Sequence, residues 1–443
     1  MEKKIVIIGA GPTGLGAAYR LEELNYKNWA IYEANDYIGG LAASFKDEKG
    51  FTWDIGGHIT FSKSEYFNGL VKNLLKNKYL EHDRKSFIWI ENNFIPYPIQ
   101  NNIKDLPKEK VIECLMGLYD IRNNNVQTNN FKDWIFSVFG KGFADCFMLP
   151  YNNKVWAFPL EQMSSDWIAN RVNKIEIKKL LENVIYNRTD SDWGPNNKFI
   201  YSLENGTAGL FLEMASLVKD KLYLGKKLVN IDLKNKRLEF GDHTKASYDI
   251  LISTIPVDNL IKLAGVKKLN NESSELKHNS ILVVGIGIKK QPPSDKCWMY
   301  FPEYNCPFYR VTYLSNYSPK NTPGKGYCSL MCETSYSSHK KVNKNLIIDE
   351  TINGLINTKL IEKDDKELIV SKFLIDREYS YPIPSIGRDK ALGAIQLFLE
   401  KNEIYSRGRF GSWKYENGNM DHSVMQGVGI VDRLLLGKAE QII

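Results

Sequence analysis

The chain has 443 residues, more than one hydrophobic core normally holds, so two or three domains are expected. Its 43% hydrophobic and 12% aromatic content is ample for packed cores. The 59 Lys and Arg against 52 Asp and Glu give a weak positive field, suited to an anionic small molecule, and without a basic run they argue against nucleic acid. Met1-Glu2-Lys3-Lys4 leads into Ile5-Val6-Ile7-Ile8, too short for a secretory core, and no stretch approaches the ~18 apolar residues of a membrane span. The cysteines (Cys114, Cys146, Cys297, Cys306, Cys328, Cys332) show no CxxC spacing or disulfide framework, which fits free thiols in a cytoplasmic protein without a metal centre.

Residues 4–33 read as strand, helix, strand, with Leu15, Ala18, Leu21 and Leu24 at three-residue steps on one helix face. Between strand and helix stand Gly9, Gly11 and Gly14, a G-x-G-x-x-G fingerprint. Gly9 suits the tight turn, Gly11 the approach of a pyrophosphate, and Gly14 close helix–strand packing. The helix N-terminus behind them offers unpaired amides to phosphate. Glu33 ends the second strand, placed to accept hydrogen bonds from ribose hydroxyls. Gly39-Gly40-Leu41-Ala42 and Gly56-Gly57-His58 then add glycine turns of the kind used by flavoproteins of the glutathione-reductase and amine-oxidase type. That favours FAD over NAD.

Residues 64–180 read as mainly helical, with Phe67, Leu70, Val71 and Leu74 at helical spacing, and again Trp134, Ile135 and Val138. Strands follow at 228–233, 237–240 and 250–255, the last ended by Pro256. The stretch 279–335 is β-rich, with strands at 281–288, 298–301, 309–314 and 327–332, before a helix at 346–355 and a strand at 368–375. Near the end, Arg407 to His422 sets guanidinium, phenol and amide donors in a glycine-punctuated loop. An apolar helical pattern, 424–436, follows it. Such donors suit phosphate, and the helix N-terminus adds a positive dipole end. The predicted fold is α/β: a Rossmann-like FAD-binding domain assembled from 1–63, 200–265 and 405–443, a mainly helical substrate domain at 64–199, and an antiparallel sheet domain at 266–404.

Further donor-rich segments carry a resemblance. They are Tyr97-Pro98-Ile99-Gln100-Asn101-Asn102, Pro150-Tyr151-Asn152-Asn153-Lys154-Val155-Trp156, Trp193-Gly194-Pro195-Asn196, and Cys297-Trp298-Met299-Tyr300-Phe301-Pro302 with Tyr309-Arg310. With Gly56 to Phe61 and the C-terminal loop, they closely resemble the eukaryotic-type UDP-galactopyranose mutases, in order along nearly the whole chain. The resemblance implies Arg310 and Arg171 at the diphosphate and its gate, with Tyr300, Tyr381 and Tyr415 as phosphate-binding phenols. It implies Asn152, Trp156 and Asn196 around the sugar diphosphate, Trp298 in the substrate site, and Tyr97 and Gln100 at the nucleobase. It puts His58 against the flavin, Arg84, Arg409 and Asn419 close to sugar or flavin, and Gly40, Gly57 and Met420 at the cofactor. Residue by residue the bland readings stand beside these: a Pro-flanked Tyr is often a turn anchor, and Asp421 before His422 reads as a helix N-cap.

The chain departs from the family where Ile99 replaces an aromatic residue near the base, Lys63 replaces a second histidine, and Asn205-Gly206-Thr207-Ala208-Gly209 replaces a richer glycine turn. The implied activity is redox-neutral exchange between a nucleotide-sugar pyranose and furanose, foremost UDP-galactose, through a covalent bond between the sugar and N5 of reduced FAD. NAD(P)H is the expected external reductant, and a monomer or small homo-oligomer the expected assembly. The alternatives are the same chemistry on another nucleotide sugar and an FAD-dependent oxidoreductase of the amine-oxidase type.

Overall fold

The computed structural model describes residues 2–122, 128–168, 172, 175–192, 194 and 196–442; Arg171 and Trp193 lie outside them. At its centre is a parallel sheet in the order Ile404–Ser406, Ile250–Ser253, Ile5–Ile8, Trp29–Tyr32, Leu222–Tyr223. The central strand is apolar at every position because both its faces are covered. Ile5 and Ile7 enter one core with Leu15, Leu21 and Val428, while Val6 and Ile8 enter another with Leu251, Leu260 and Trp413.

The helix Pro12–Glu23 lies against the C-terminal helix Met420–Leu436, and glycine makes that contact close. A Cβ at Gly16 would stand 2.5 Å from the Val424 carbonyl oxygen, and one at Gly427 would stand 2.1 Å from that of Thr13. Any side chain there would push the helices apart. The two helices therefore start side by side, although about 400 residues separate them in sequence.

A second sheet runs in the order Ile369–Pro382, His278–Ile288, Cys328–Tyr336, Arg310–Tyr313, Trp298–Tyr300, Ser86–Ile90, Asn93–Pro96. It corrects the sequence reading in two ways. The sheet is mixed, since Trp298–Tyr300 pairs with Ser86–Ile90 in parallel. Two of its strands come from the stretch read as mainly helical, because the run Ser86-Phe87-Ile88-Trp89-Ile90 turns back through Glu91 and Asn92, both at positive φ. Turn chemistry outweighed the helical surroundings. The strand read at 368–375 continues to Pro382 and so carries Tyr381.

Helices Lys108–Ile121, Phe131–Phe143 and Leu149–Trp156 share a core with Ile88, Ile90 and Ile95 of this sheet's last two strands. The first two approach at Gly117, Gly140 and Gly142, where a Cβ on Gly140 would fall 2.2 Å from the Gly117 carbonyl oxygen. Gly140 breaks the second helix, and a π-helical turn at Ala144–Met148 follows. No described helix is long and apolar enough to cross a membrane. The six cysteines are free thiols.

Candidate active site

One cavity of about 1510 Å³ runs from the glycine turn at Gly9 to Tyr97 and Gln100. A single small ligand fills ~300–1,000 Å³, so this space suits a dinucleotide and a second ligand together. The parallel sheet and its two paired helices form one end, and the second sheet with the helix Leu149–Trp156 forms the other.

At the first end two helix N-termini open into the cavity. The helix Pro12–Glu23 starts after Gly11, and Met420–Leu436 starts after Asn419, neither with a side-chain cap. Their first-turn amides and dipoles suit an anion. Gly14 stands behind the turn, where a Cβ would lie 1.8 Å from the Gly9 carbonyl oxygen. Gly40 faces Gly11, with an added Cβ 3.3 Å from the Gly11 Cα, which keeps a flat channel between two backbones. Glu33 accepts the Ala10 amide at 2.7 Å and the Asn35 backbone and side-chain N–H groups at 2.9 and 2.7 Å. A carboxylate has about four acceptor positions, so one remains for a ribose hydroxyl. This set fits FAD.

The reading of Asp421 as an N-cap is corrected. It sits inside the first turn and accepts the Ser62 hydroxyl at 2.7 Å, tying the helix start to the segment after His58. The preceding loop is braced from behind: Gln426 accepts the Gly408 amide at 2.7 Å and donates to the Asn417 carbonyl at 2.9 Å. Arg388, nearly fully buried, grips Glu416 with both terminal nitrogens at 3.0 and 2.7 Å, which fixes the neighbouring Tyr415.

Mid-cavity, Arg310 meets Glu333 across paired strands. Nε and Nη2 donate to the two carboxylate oxygens at 2.6 and 2.7 Å. Glu333 also accepts the Gly57 amide at 3.0 Å and the Tyr309 hydroxyl at 2.9 Å. Burial works to raise its carboxyl, but the Arg310 charge and these hydrogen bonds outweigh burial and hold it below the usual range. The adjoining His58 is pushed down to about 4, first by burial and then by the Arg409 and Arg310 charges, so its ring is neutral at pH 7. Arg409 donates to the Ser380 and Gly418 carbonyls at 3.0 and 2.7 Å and lies over the Tyr381 and Tyr415 rings.

The far end is phenolic. Tyr97, Tyr151, Tyr300 and Tyr381 have their hydroxyls raised chiefly by burial, so all are protonated donors. Tyr300 touches Tyr97 and Tyr151, each with ring centroids 5.3 Å apart, and Trp156 packs edge-on to Tyr415 at 4.9 Å. Asn152 is fixed on its helix, donating to the Met148 carbonyl at 2.7 Å and accepting the Trp156 indole at 3.1 Å. Gln100, Asn196 and Trp298 also line the space, as do Gly57, Met420 and Lys63.

One described candidate, Arg84, and the family departure at Ile99 do not line the cavity. Arg84 sits behind the wall, where it donates to Asn196 at 2.7 Å and lies 5.2 Å from the Tyr97 ring, so it supports lining residues. Ile99 is fully buried in the core with Ile88, Ile103 and Phe147, and the stacking surface expected to be lost there is not a cavity position. Arg171 lies outside the described residues.

Residues 12–419 match the family described as flavin containing amine oxidoreductase. A crystal structure of reduced UDP-galactopyranose mutase superposes with a TM-score of 0.96 at 42% sequence identity, covering 99% of this chain and 95% of that one. The chain belongs to the UDP-galactopyranose mutase family, within the flavin containing amine oxidoreductases. A protein described as a putative protoporphyrinogen oxidase from Exiguobacterium shares the fold, with a TM-score of 0.72 at 18% identity over 99% of this chain and 100% of that one. Among curated relatives, 15-cis-phytoene desaturase of Glycine max is 34% identical over 121 residues, 27% of this chain. The chain spans only a fifth of that relative's length.

Sequence reasoning missed Glu333 and Arg388, and it noted Tyr309 beside Arg310 without giving it a role. The signal for Glu333 was available: a carboxylate inside the apolar run Cys328-Ser329-Leu330-Met331-Cys332-Glu333 needs a buried partner. Which cation supplied it depended on strand register.

Proposed function

We propose that this protein interconverts UDP-galactopyranose and UDP-galactofuranose, an isomerisation run on reduced FAD. The observation that carries the reading is a single cavity with two uncapped helix N-termini at one end and an arginine–phenol cluster at the other. Bound and reduced, FAD supplies a nucleophile for the anomeric carbon. The protein's own task is to let the sugar–diphosphate bond break while keeping the nucleoside diphosphate in place for return. Arg310, with Tyr300, Tyr381 and Tyr415, supplies charge-assisted and phenolic donors for that group. Arg171 is assigned to the same diphosphate as its gate. Tyr97 and Gln100 take the nucleobase end, and Asn152, Trp156, Trp298 and Asn196 enclose the sugar and its phosphates. His58, neutral at pH 7, accepts or donates a hydrogen bond without adding charge beside the flavin. Amides at Asn419 and Met420, at the uncapped start of their helix, would hold the flavin and would stabilise negative charge on its reduced ring.

An amine-oxidase reading fits less well, because Arg409 at the cavity wall repels a cationic amine, and the Glu333 carboxylate is already taken up by Arg310. A reduced nicotinamide nucleotide is the reductant we assign, and a monomer or small homo-oligomer the assembly. The test is anaerobic incubation of the FAD-loaded, dithionite-reduced protein with UDP-galactopyranose, followed by chromatography. UDP-galactofuranose at equilibrium, absent with oxidised protein, supports the reading. Amine-dependent peroxide without isomerisation would replace it.

A further inference from the structure

Outside the cavity, the side chains of Lys154 and Cys306 meet in the protein interior. Lys154 is 1% exposed and Cys306 5%. The Lys154 Nζ donates to the Glu303 and Cys306 carbonyls at 2.8 and 2.9 Å, and lies 3.5 Å from the Cys306 Sγ. No carboxylate accompanies the amine in those bonds, although a buried lysine normally pairs with one. A second lysine, Lys340, donates to the Lys154 carbonyl at 3.2 Å. The cysteine lies just beneath a surface turn, where Tyr304 is 73% exposed.

Burial drives the Lys154 ammonium toward its neutral form. It also pushes the Cys306 thiol up to about 11, with Lys154 opposing, while Lys340 is brought down to about 8, again first by burial. The Lys154 amine, pushed toward its neutral form, therefore sits in contact with the Cys306 thiol. Neither group has a part in the proposed isomerisation.

We propose that Lys154 and Cys306 form a peroxide-dependent covalent bridge through one oxygen atom, N–O–S. Hydrogen peroxide first converts the thiol to a sulfenic acid: an S–O bond forms, the peroxide O–O bond breaks, and one water leaves. A second peroxide removes the sulfenic O–H proton and one N–H proton with two electrons as the O–N bond forms, and two waters leave. Sulfur and nitrogen together lose four electrons, and two peroxides gain them. The bridge joins the helix Leu149–Trp156, which carries Asn152 and Trp156, to the segment between Tyr300 and Arg310. All four lining residues then hang on one covalent unit.

The test treats the FAD-loaded protein with hydrogen peroxide, removes the oxidant, digests without thiols and maps peptides by mass. The expected product is a linked pair containing Lys154 and Cys306, about 14 Da heavier than the two peptides combined, and separated by dithiothreitol. Cys306→Ser, which keeps the packing, should lose that product. The wild-type map suffices if the variant folds poorly. A linked pair two hydrogens lighter, a Cys306–Cys332 disulfide, or a Cys306 sulfinic acid beside unlinked Lys154 would each overturn the proposal.

Discussion

Arg310 and Glu333 stand directly opposite each other on antiparallel strands and join through two hydrogen bonds of 2.6 and 2.7 Å. The pair fixes the plane of the guanidinium and, through the Gly57 amide, the position of the turn that carries His58. The diphosphate site proposed for Arg310 and the turn carrying His58 thus share one anchor. Because Glu333 is buried, Glu333→Ala leaves a buried cation unpaired and should cost about 3–5 kcal/mol in guanidinium chloride denaturation. The carboxyl is held below its ordinary 4.5, so its contribution is complete above that pH and is lost as pH falls into the depressed range.

Arg310→Lys keeps the charge but cannot donate in the bidentate geometry. We expect kcat to fall by about 100-fold or more with FAD content unchanged. A variant at full activity would remove Arg310 from the diphosphate site.

His58 ought to remain neutral across the ordinary histidine range. Its folded value near 4 lies below the unfolded 6.5, so its contribution to stability is full above 6.5 and declines as pH falls toward 4. NMR of ring-labelled histidine in the flavin-free protein should show His58 titrating last. A midpoint near 6.5 would contradict the burial and charge argument.

The C-terminal tail is held by charge. Arg407 is fully buried and donates to Glu440 at 2.6 and 2.7 Å and to Glu400 at 2.7 Å. Because Glu400 still pairs with Arg407, Glu440→Ala should lower stability by about 1–3 kcal/mol, and adding Arg407→Met should restore part of it. Denaturant midpoints of the single and double variants check both statements.

Gly14→Ala places a methyl against the Gly9 carbonyl and should cost about 1–3 kcal/mol while emptying the cofactor site. Loss of the flavin absorbance on purification is the readout.

Much of this was legible in sequence because local pattern and chemistry agree there. Gly9, Gly11, Gly14 and Glu33 lie within one strand–helix–strand unit, and their roles need no distant partner. The glycines at Gly16 and Gly427 were silent, since their packing appears only when two ends of the chain meet. Glu333, Arg388 and Arg84 were missed or misplaced for the same reason: each acts by holding another residue across an interface. Asp421 misled because Asp at a helix start caps more often than it bridges; here Ser62 claims its oxygen.

The most direct measurement uses UDP-galactofuranose labelled with oxygen-18 between the anomeric carbon and the β-phosphorus, given anaerobically to the reduced, FAD-loaded protein. Phosphorus NMR then follows the label while chromatography follows the sugar. UDP-galactopyranose should appear, and the label should spread to non-bridging positions as the retained diphosphate turns before it returns. Isomerisation with the label fixed would contradict a diphosphate that detaches and turns before it returns. Unchanged furanose would contradict the account altogether.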